Sequence, residues 1–379
     1  MTPIACGGVV DTGGGCMATI YDVARIAGVS PKTVSRVLNG DAPVKKHTRD
    51  AINAAMADLG YVPSSAARSM RSNKSGLIGL ITGAISTKPE PLEPQGLPDL
   101  FIVQGIQRVI GATGKTLMIA DTGGHLNKVA PLINTFLQHR VEGLIYVAEY
   151  HQRVTLPPVP AGRPMVLVNC FDDLNTPAVL PDDRRCQRDL VTQVIKSGHR
   201  RIGHLTLLKT QAATALRLEG YKDALAEAGI GFDPALVVTP YPDGAMDSQL
   251  LWDAIDRLLT LPQPPTVLCC GNDEMAMRVY GILRTRGIKV PEELSVAGFD
   301  NYRVIAETLY PPLSTVELPY AAMGARAADL LLSLINGDPE TLTAPPLVSG
   351  PVCWRSSVTK LGTTSNALTY LQSKGRITQ

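Results

Sequence analysis

Apolar positions along the chain follow two rhythms. Between Thr19 and Gly60 they fall at helical spacing: Val23, Ala24, Ile26 and Ala27 form one stripe, Val34, Val37 and Leu38 a second, and Ala51, Ile52, Ala55, Met56 and Leu59 a third. The interruptions carry boundary chemistry. Thr19 and Asp22 have the spacing of a capping box, Gly28 supplies a sharp exit, and Ser30-Pro31 reads as an N-cap followed by proline at the first helical position. Asn39-Gly40 and Gly60 tolerate the left-handed geometry that closes a helix. The pattern predicts three short helices, the first two joined by a glycine turn. The small Ala24 lets two helices approach closely, as in a helix-turn-helix or in a helical hairpin inside a core.

Beyond Ser75 the rhythm changes. Short continuous apolar runs at 77–81, 116–120, 143–147, 165–168, 201–207, 236–238, 266–270 and 295–299 alternate with helical patterns, which predicts parallel strands buried on both faces. So many strands exceed one compact half. Two doubly wound subdomains would set a ligand cleft at the carboxyl ends of their strands. Prolines at 89, 91, 94 and 98 keep the helix after the first strand from starting before about Pro98, and a long apolar-striped helix is expected over 321–335. No apolar run approaches the roughly 18 residues that span a bilayer, so no membrane segment is expected.

At 379 residues the prior is two or three domains, and 45% hydrophobic with 18% charged residues describes a soluble globular chain. The net charge of +2 conceals an asymmetry. From Thr19 to Arg71 eight Lys/Arg face four Asp/Glu, whereas the rest carries 28 against 30. A basic excess confined to the helical end is what a phosphate-binding head requires. The seven cysteines form no C-x-x-C pair and read as reduced thiols, which points to a cytoplasmic protein. The six histidines show no metal-binding spacing, so neither metal nor cofactor is expected. An enzyme would need a nucleophile–base pair, metal spacing or a phosphate loop; the GGG at 13–15 is not followed by Lys-Ser/Thr, and none is found. Residues 1–16 are glycine-rich and lack the basic start and apolar middle of a signal peptide. They read as a disordered or mis-annotated extension, with Met17 as the natural start.

The stretches TIYDVARIAGVSPKTVSRVLNG and TRDAINAAMADLGYVPSSAARSMRS are similar to the head and hinge of the lactose/galactose repressor (LacI/GalR) family of bacterial transcription regulators. GHRRIGHL, RLEGYKDALAEAGI, GNDEMAM, VPEELSVAGFDN and PPLSTVELPYAAMGARAADLLL resemble, in order, landmarks of that family's effector-binding body. The resemblance implies an all-α helix-turn-helix head with a hinge helix, followed by an α/β body of two subdomains like a periplasmic binding protein. It implies a head over 17–62, a hinge and linker over 63–75, a body over 76–360 and a tail over 361–379. Within the body the N-subdomain would take about 76–180 and 319–346, and the C-subdomain about 181–318 and 347–360.

In the head the resemblance sets Pro31, Lys32 and Arg36 against base edges in the major groove, with Thr19, Ser30, Thr33 and Asn39 better placed for phosphate. Pro31 has no donor and offers only shape. Ala67 and Met70 fall where the family inserts paired hinge helices into the minor groove, Met70 matching the apolar wedge that opens a base step. In the body Asn169, Arg217, Asn272 and Asp300 match positions that touch an effector, and their chemistry suits a polyol. Asn272 and Asp300 could also serve as helix caps.

Three departures bear on the ligand. The segment TGAISTKPEPLEPQGLPDLF leaves one cleft wall unread, and Tyr241 and Gly244 compete for the place of an aromatic against the sugar ring. Where relatives often have Asp-Asn and then glycine, this chain has Asp182-Asp183-Arg184-Arg185-Cys186. The two arginines would serve an acidic effector, or form a solvated ion-pair surface with Asp182 and Asp183. The expected function is that of a transcriptional regulator, a repressor of carbohydrate genes, binding a palindrome in double-stranded operator DNA as a homodimer and controlled by a small sugar-like effector. The alternatives are a sugar-acid, phosphosugar or nucleobase effector, or an activator. A tail without leucine heptads favours a dimer over a tetramer.

Overall fold

The computed structural model describes residues 18–40, 43–62, 74–83, 98–160, 162–241, 247–337 and 345–361. The chain divides into two compact units, Met1–Gly76 and Leu77–Gln379. The first holds α1 (Ile20–Ile26), α2 (Pro31–Asn39) and α3 (Lys46–Leu59). Their ends are set as the sequence predicts. The Asp22 carboxylate accepts from the Thr19 N–H at 3.0 Å and hydroxyl at 2.7 Å, Ser30 Oγ accepts from the Thr33 N–H at 3.2 Å, and Gly40 and Gly60 turn left-handed with φ of 70° and 58°. Val23, Ala24, Val34, Ile52 and Ala55 form the buried centre where the three helices meet. Ile26, assigned to the first stripe, is instead 48% exposed, because Val23 and Ala24 already fill the contact with α2.

The second unit contains two parallel sheets. The larger runs β11-β5-β4-β3-β1-β2, built from β1 (Leu77–Thr82), β2 (Thr116–Asp121), β3 (Gly143–Arg153), β4 (Met165–Phe171), β5 (Ala178–Pro181) and β11 (Leu347–Val348). Strand alternation sorts its side chains onto two faces. Ile78, Leu80, Ile145, Val147, Val166 and Val168 face α4 (Pro98–Ala112) and α11 (Tyr320–Asn336), while Ile81, Leu144, Tyr146 and Leu167 face α5 (Val129–Gln138). Both faces are apolar, which is why these strands read as unbroken hydrophobic runs. The helix α4 begins at Pro98, as the prolines before it require.

The smaller sheet runs β7-β6-β8-β9, from β6 (Ile202–Leu205), β7 (Val237–Val238), β8 (Val267–Cys270) and β9 (Ser295–Ala297). Val267 and Cys269 pack with α6 (Asp183–Lys196) and α7 (Ala212–Glu227) on one side, and Leu268 and Cys270 with α8 (Ser248–Leu259) and α9 (Asp273–Thr285) on the other. The short α10 (Arg303–Ala306) and the antiparallel pair β10 (Thr315–Val316) and β12 (Val352–Cys353) complete this half. The sequence-based boundary of 347 needs correction. Leu347–Val348 pairs with Leu180–Pro181 in the larger sheet, so the chain's last passage between the subdomains falls after Val348. The smaller subdomain is thereby an insertion within the larger one, between β5 and α11, with β12 returning to it.

The second core contains a titratable group with a readable consequence. His204 stacks on Tyr221 with ring centroids 5.3 Å apart, and burial pushes its pKa down to about 4. An unfolded histidine takes up a proton below about pH 6.5, whereas folded His204 stays neutral until near pH 4, so this residue costs stability as pH falls through that interval. The expected penalty is roughly 2–3 kcal/mol. The difference in urea midpoint between the wild type and His204→Phe should therefore grow in the variant's favour from pH 7 to pH 4.5. A constant difference would mean that His204 is protonated in the fold.

Candidate functional site

Two regions concentrate unexplained polar chemistry. In the helical unit, the Ser30 cap and Pro31 orient α2 so that Val34 is buried while Lys32 and Arg36 remain exposed on the opposite side. Thr19 and Ser30 are exposed, although their hydroxyls already serve the helix starts; the Ser30 and Thr33 hydroxyls lie 2.9 Å apart. Pro31 and Thr33 are half-buried at the start of α2. The side chain of Asn39, and Ala67 and Met70 altogether, lie outside the described residues. Tyr21 was not anticipated. It is an aromatic with 71% exposure at the start of α1, and its place in a Thr-Ile-Tyr-Asp run gives no periodic reason to expect it there. Exposed cations and an exposed aromatic at the ends of two capped helices can engage phosphate and base edges.

The second region is a cavity of about 1560 Å³ at the carboxyl ends of both sheets. Asn169, Arg217, Asn272 and Asp300 all line it. Asn169 ends the core of β4 with φ of 60°, a conformation that asparagine tolerates, and its amide donates to the Ala148 carbonyl at 3.1 Å. Asn272 follows β8 and caps α9 by accepting from the Met275 N–H at 2.8 Å, as one of its two readings expected, and it also lines the cavity. Asp300 follows β9 with φ of 117°, and Asn301 follows at 53°. Consecutive non-glycine residues in this region store backbone strain, which is found where side chains must be aimed at a site.

Arg217 reaches the cavity from α7 and is held on three sides. Its Nε donates to Asp183 Oδ1 at 2.7 Å, its Nη1 donates to the Gly271 carbonyl at 2.6 Å, and its guanidinium lies 3.6 Å from the Phe299 ring centroid. Asp183 in turn shares its other oxygen with His151 Nδ1 at 2.7 Å, joining the end of β3 to the start of α6. Burial opposes ionisation of Asp183, yet the Arg217 charge and the His151 hydrogen bond together hold its carboxyl below the usual range.

Neighbouring acids behave in the opposite way. Burial pushes Asp273 up to about 7 despite hydrogen bonds from the Thr315 hydroxyl and the Tyr302 N–H, both at 2.7 Å. Burial lifts Asp300 well above its ordinary value; Arg217 opposes this, while Asp273, Asp183 and Glu274 add to it. Glu149 is raised by burial as well, against a hydrogen bond with Tyr150.

Asp183 and His151 are the residues that the sequence did not single out. Asp183 stands in a charged run that looks solvated, but it is 1% exposed, and its partners lie 32 and 34 residues away. The arginines beside it do form a surface, though with other acids than expected: Arg184 meets Asp223 at 2.6 Å and Arg185 meets Asp189 at 3.7 Å, while Asp182 caps α6. Neither arginine lines the cavity. Tyr241 does line it and is buried, whereas Gly244 lies outside the described residues. Among the described residues there is no metal-binding group of three, and no helix is long and apolar enough to cross a membrane.

Residues 19–64 match the model of bacterial regulatory proteins of the lacI family, and residues 191–358 match that of a periplasmic binding protein-like domain. The chain is 30% identical to the ribose operon repressor of Haemophilus influenzae over 338 residues, covering 89% of this chain and 97% of that protein. It is 33% identical to the HTH-type transcriptional regulator GalR of Escherichia coli, covering 85% and 91%. Among solved structures, the transcriptional regulator CelR–cellobiose complex superposes with a TM-score of 0.59 at 28% identity, over 90% of this chain and 99% of that one.

Proposed function

The chain belongs to the LacI family of bacterial regulatory proteins, and from that premise we propose a dimeric repressor that binds palindromic operator DNA and answers to a small polyhydroxylated effector. The observation that carries this reading is the pairing, in one chain, of a capped two-helix unit presenting Lys32 and Arg36 with a cavity that gathers Asn169, Arg217, Asn272 and Asp300. Lys32 and Arg36 read base edges beside Pro31, while Thr19, Ser30, Thr33 and Asn39 hold phosphates. Paired hinge segments carry Ala67 and Met70 into the minor groove, where the Met70 wedge opens a base step. Residues 17–62 form the head, 63–75 the hinge and linker, 76–360 the body and 361–379 a tail. The protein works in the cytoplasm and catalyses no reaction.

Control is a matter of linkage. A ligand between the subdomains changes how they are set, and with it the stability of a hinge helix that is too short to persist alone. Operator binding must change effector affinity by the same factor. Similarity to a ribose operon repressor and to a cellobiose complex supports a sugar-like effector.

Genome-wide pull-down of bound DNA, with the wild type and with Met70→Asp, tests the reading. The expected result is one shared palindrome that the hinge variant loses. Against that site, Arg36→Ala should weaken binding by about 1–3 kcal/mol and relax preference at a single base position. If no palindrome is enriched with or without a screened effector panel, the regulator assignment is wrong.

A further inference from the structure

We infer that the cleft selects its effector by charge, taking a polyhydroxylated ligand that carries a protonated amine and rejecting sugar acids and phosphosugars. The inference rests on the cleft being the effector site and narrows what can occupy it.

The argument starts from the cations. The one arginine buried in the cavity wall, Arg217, is 5% exposed and already committed: Asp183 neutralises it, and the Gly271 carbonyl takes a second N–H. An anionic ligand would have to compete with Asp183 for that guanidinium and leave a buried carboxylate without compensation. The two arginines that could have answered a sugar acid, Arg184 and Arg185, turn outward onto Asp223 and Asp189. Among the described residues the lining carries four arginines against seven carboxylates. Of the other three arginines, Arg303 is paired with Glu307 at 2.8 Å, and Arg108 and Arg326 belong to α4 and α11.

Asp300 is not so committed. Among the described residues no hydrogen-bond donor reaches the Asp300 carboxylate, although it lies in the wall with Arg217 and Asn272. The Asn169 amide spends its N–H groups on the Ala148 and Glu149 carbonyls, which leaves its Oδ1 to accept. Burial raises both Asp300 and Glu149, and Asp273, Asp183 and Glu274 raise Asp300 further, a cost that a cation beside these carboxyls relieves. A neutral polyol satisfies the acceptors but leaves the charge; an ammonium does both.

Calorimetry on the full chain near pH 6.5, where a primary amine is protonated, decides the matter with matched probes: D-glucose, D-glucosamine, N-acetyl-D-glucosamine, D-glucuronate and D-glucose 6-phosphate, and the galactose counterparts. At least one amine should bind about tenfold or more tightly than both its neutral parent and its N-acetyl derivative, with no binding by the acids. Asp300→Asn should erase that preference, bringing the amine's affinity down to that of its neutral parent measured on the same variant, and Glu149→Gln provides the same test if Asp300→Asn does not fold. An acid that binds as tightly as the neutral sugar, an N-acetyl derivative that matches the amine, or failure of every amine to bind would overturn the inference. Operator binding measured on the same samples separates the outcomes: an intact palindrome without amine preference removes only this proposal, and a lost palindrome removes the regulator reading.

Discussion

Arg217→Ala should destabilise the body by about 3–5 kcal/mol, a larger loss than truncating a surface arginine, because it strands Asp183 as a buried charge. Asp183 is wholly enclosed, and its carboxyl is held below its ordinary range against the cost of burial chiefly by the Arg217 charge. His151 supplies one hydrogen bond and does not replace a permanent cation. Urea unfolding followed by fluorescence checks the size of the effect. Adding Asp183→Asn to Arg217→Ala should recover much of the stability, since the stranded charge is gone, but not ligand binding, since the guanidinium is gone too. The pair is also pH-dependent in a defined direction. A carboxyl with a depressed pKa contributes stability above the ordinary aspartate range and loses it as pH falls through the depressed value, so the variant and the wild type should converge in acid. If Arg217→Ala unfolds at the wild-type urea concentration, Asp183 does not depend on Arg217 for its charge.

The second large effect comes from glycines that let helices touch. A Cβ on Gly324 of α11 would run into the Ile102 carbonyl of α4, and a Cβ on Gly105 of α4 would run into the Ala321 carbonyl of α11. Gly220 of α7 meets the Arg184 carbonyl of α6 in the same manner. The obstacle in each case is main chain, which cannot swing aside as a side chain can. Gly324→Ala should therefore cost at least about 4 kcal/mol, above the ~1–3 kcal/mol typical of overpacking against side chains. Gly281→Ala in α9 makes a control of opposite sign. Nothing lies within 4 Å of its Cβ position, so it should stabilise the helix by up to about 1 kcal/mol. Thermal melts of both variants test the contrast, and a folded Gly324→Ala protein with an unshifted melting temperature would show that α4 and α11 can separate.

These two cases also show what the sequence could and could not disclose. Eight strands, β1 to β4 and β6 to β9, were legible because each lies in a short apolar run between helical patterns, even where the paired strand is as short as Val237–Val238. The two-residue β10, β11 and β12 and the four-residue β5 were not singled out in the sequence, and their pairing with neighbouring strands is what identifies them. The caps at Thr19, Ser30 and Asn272 were legible because capping is local chemistry. The four cavity residues could be named because each stands at the carboxyl end of a readable strand or in a quoted family landmark. Asp183 and His151 could not, since a buried acid inside Asp-Asp-Arg-Arg has the composition of a surface, and its true partners are set by the fold. Ile26 fails for the converse reason: helical spacing assigns a residue to a stripe but not the width of the contact that the stripe makes.

The insertion of the smaller subdomain between β5 and α11 has a consequence for how the protein is made. Five strands of the larger sheet leave the ribosome first, with Ile78, Leu80, Ile145, Val147, Val166 and Val168 along one face. Half of the cover for that face, Met323, Ala327, Leu330 and Leu331 of α11, is encoded beyond the entire second sheet. During synthesis the earlier half must wait, greasy side uncovered, while the later half is translated. The first subdomain begun is thus the last one finished, and a nascent chain stalled before Tyr320 presents a surface that chaperones and proteases bind.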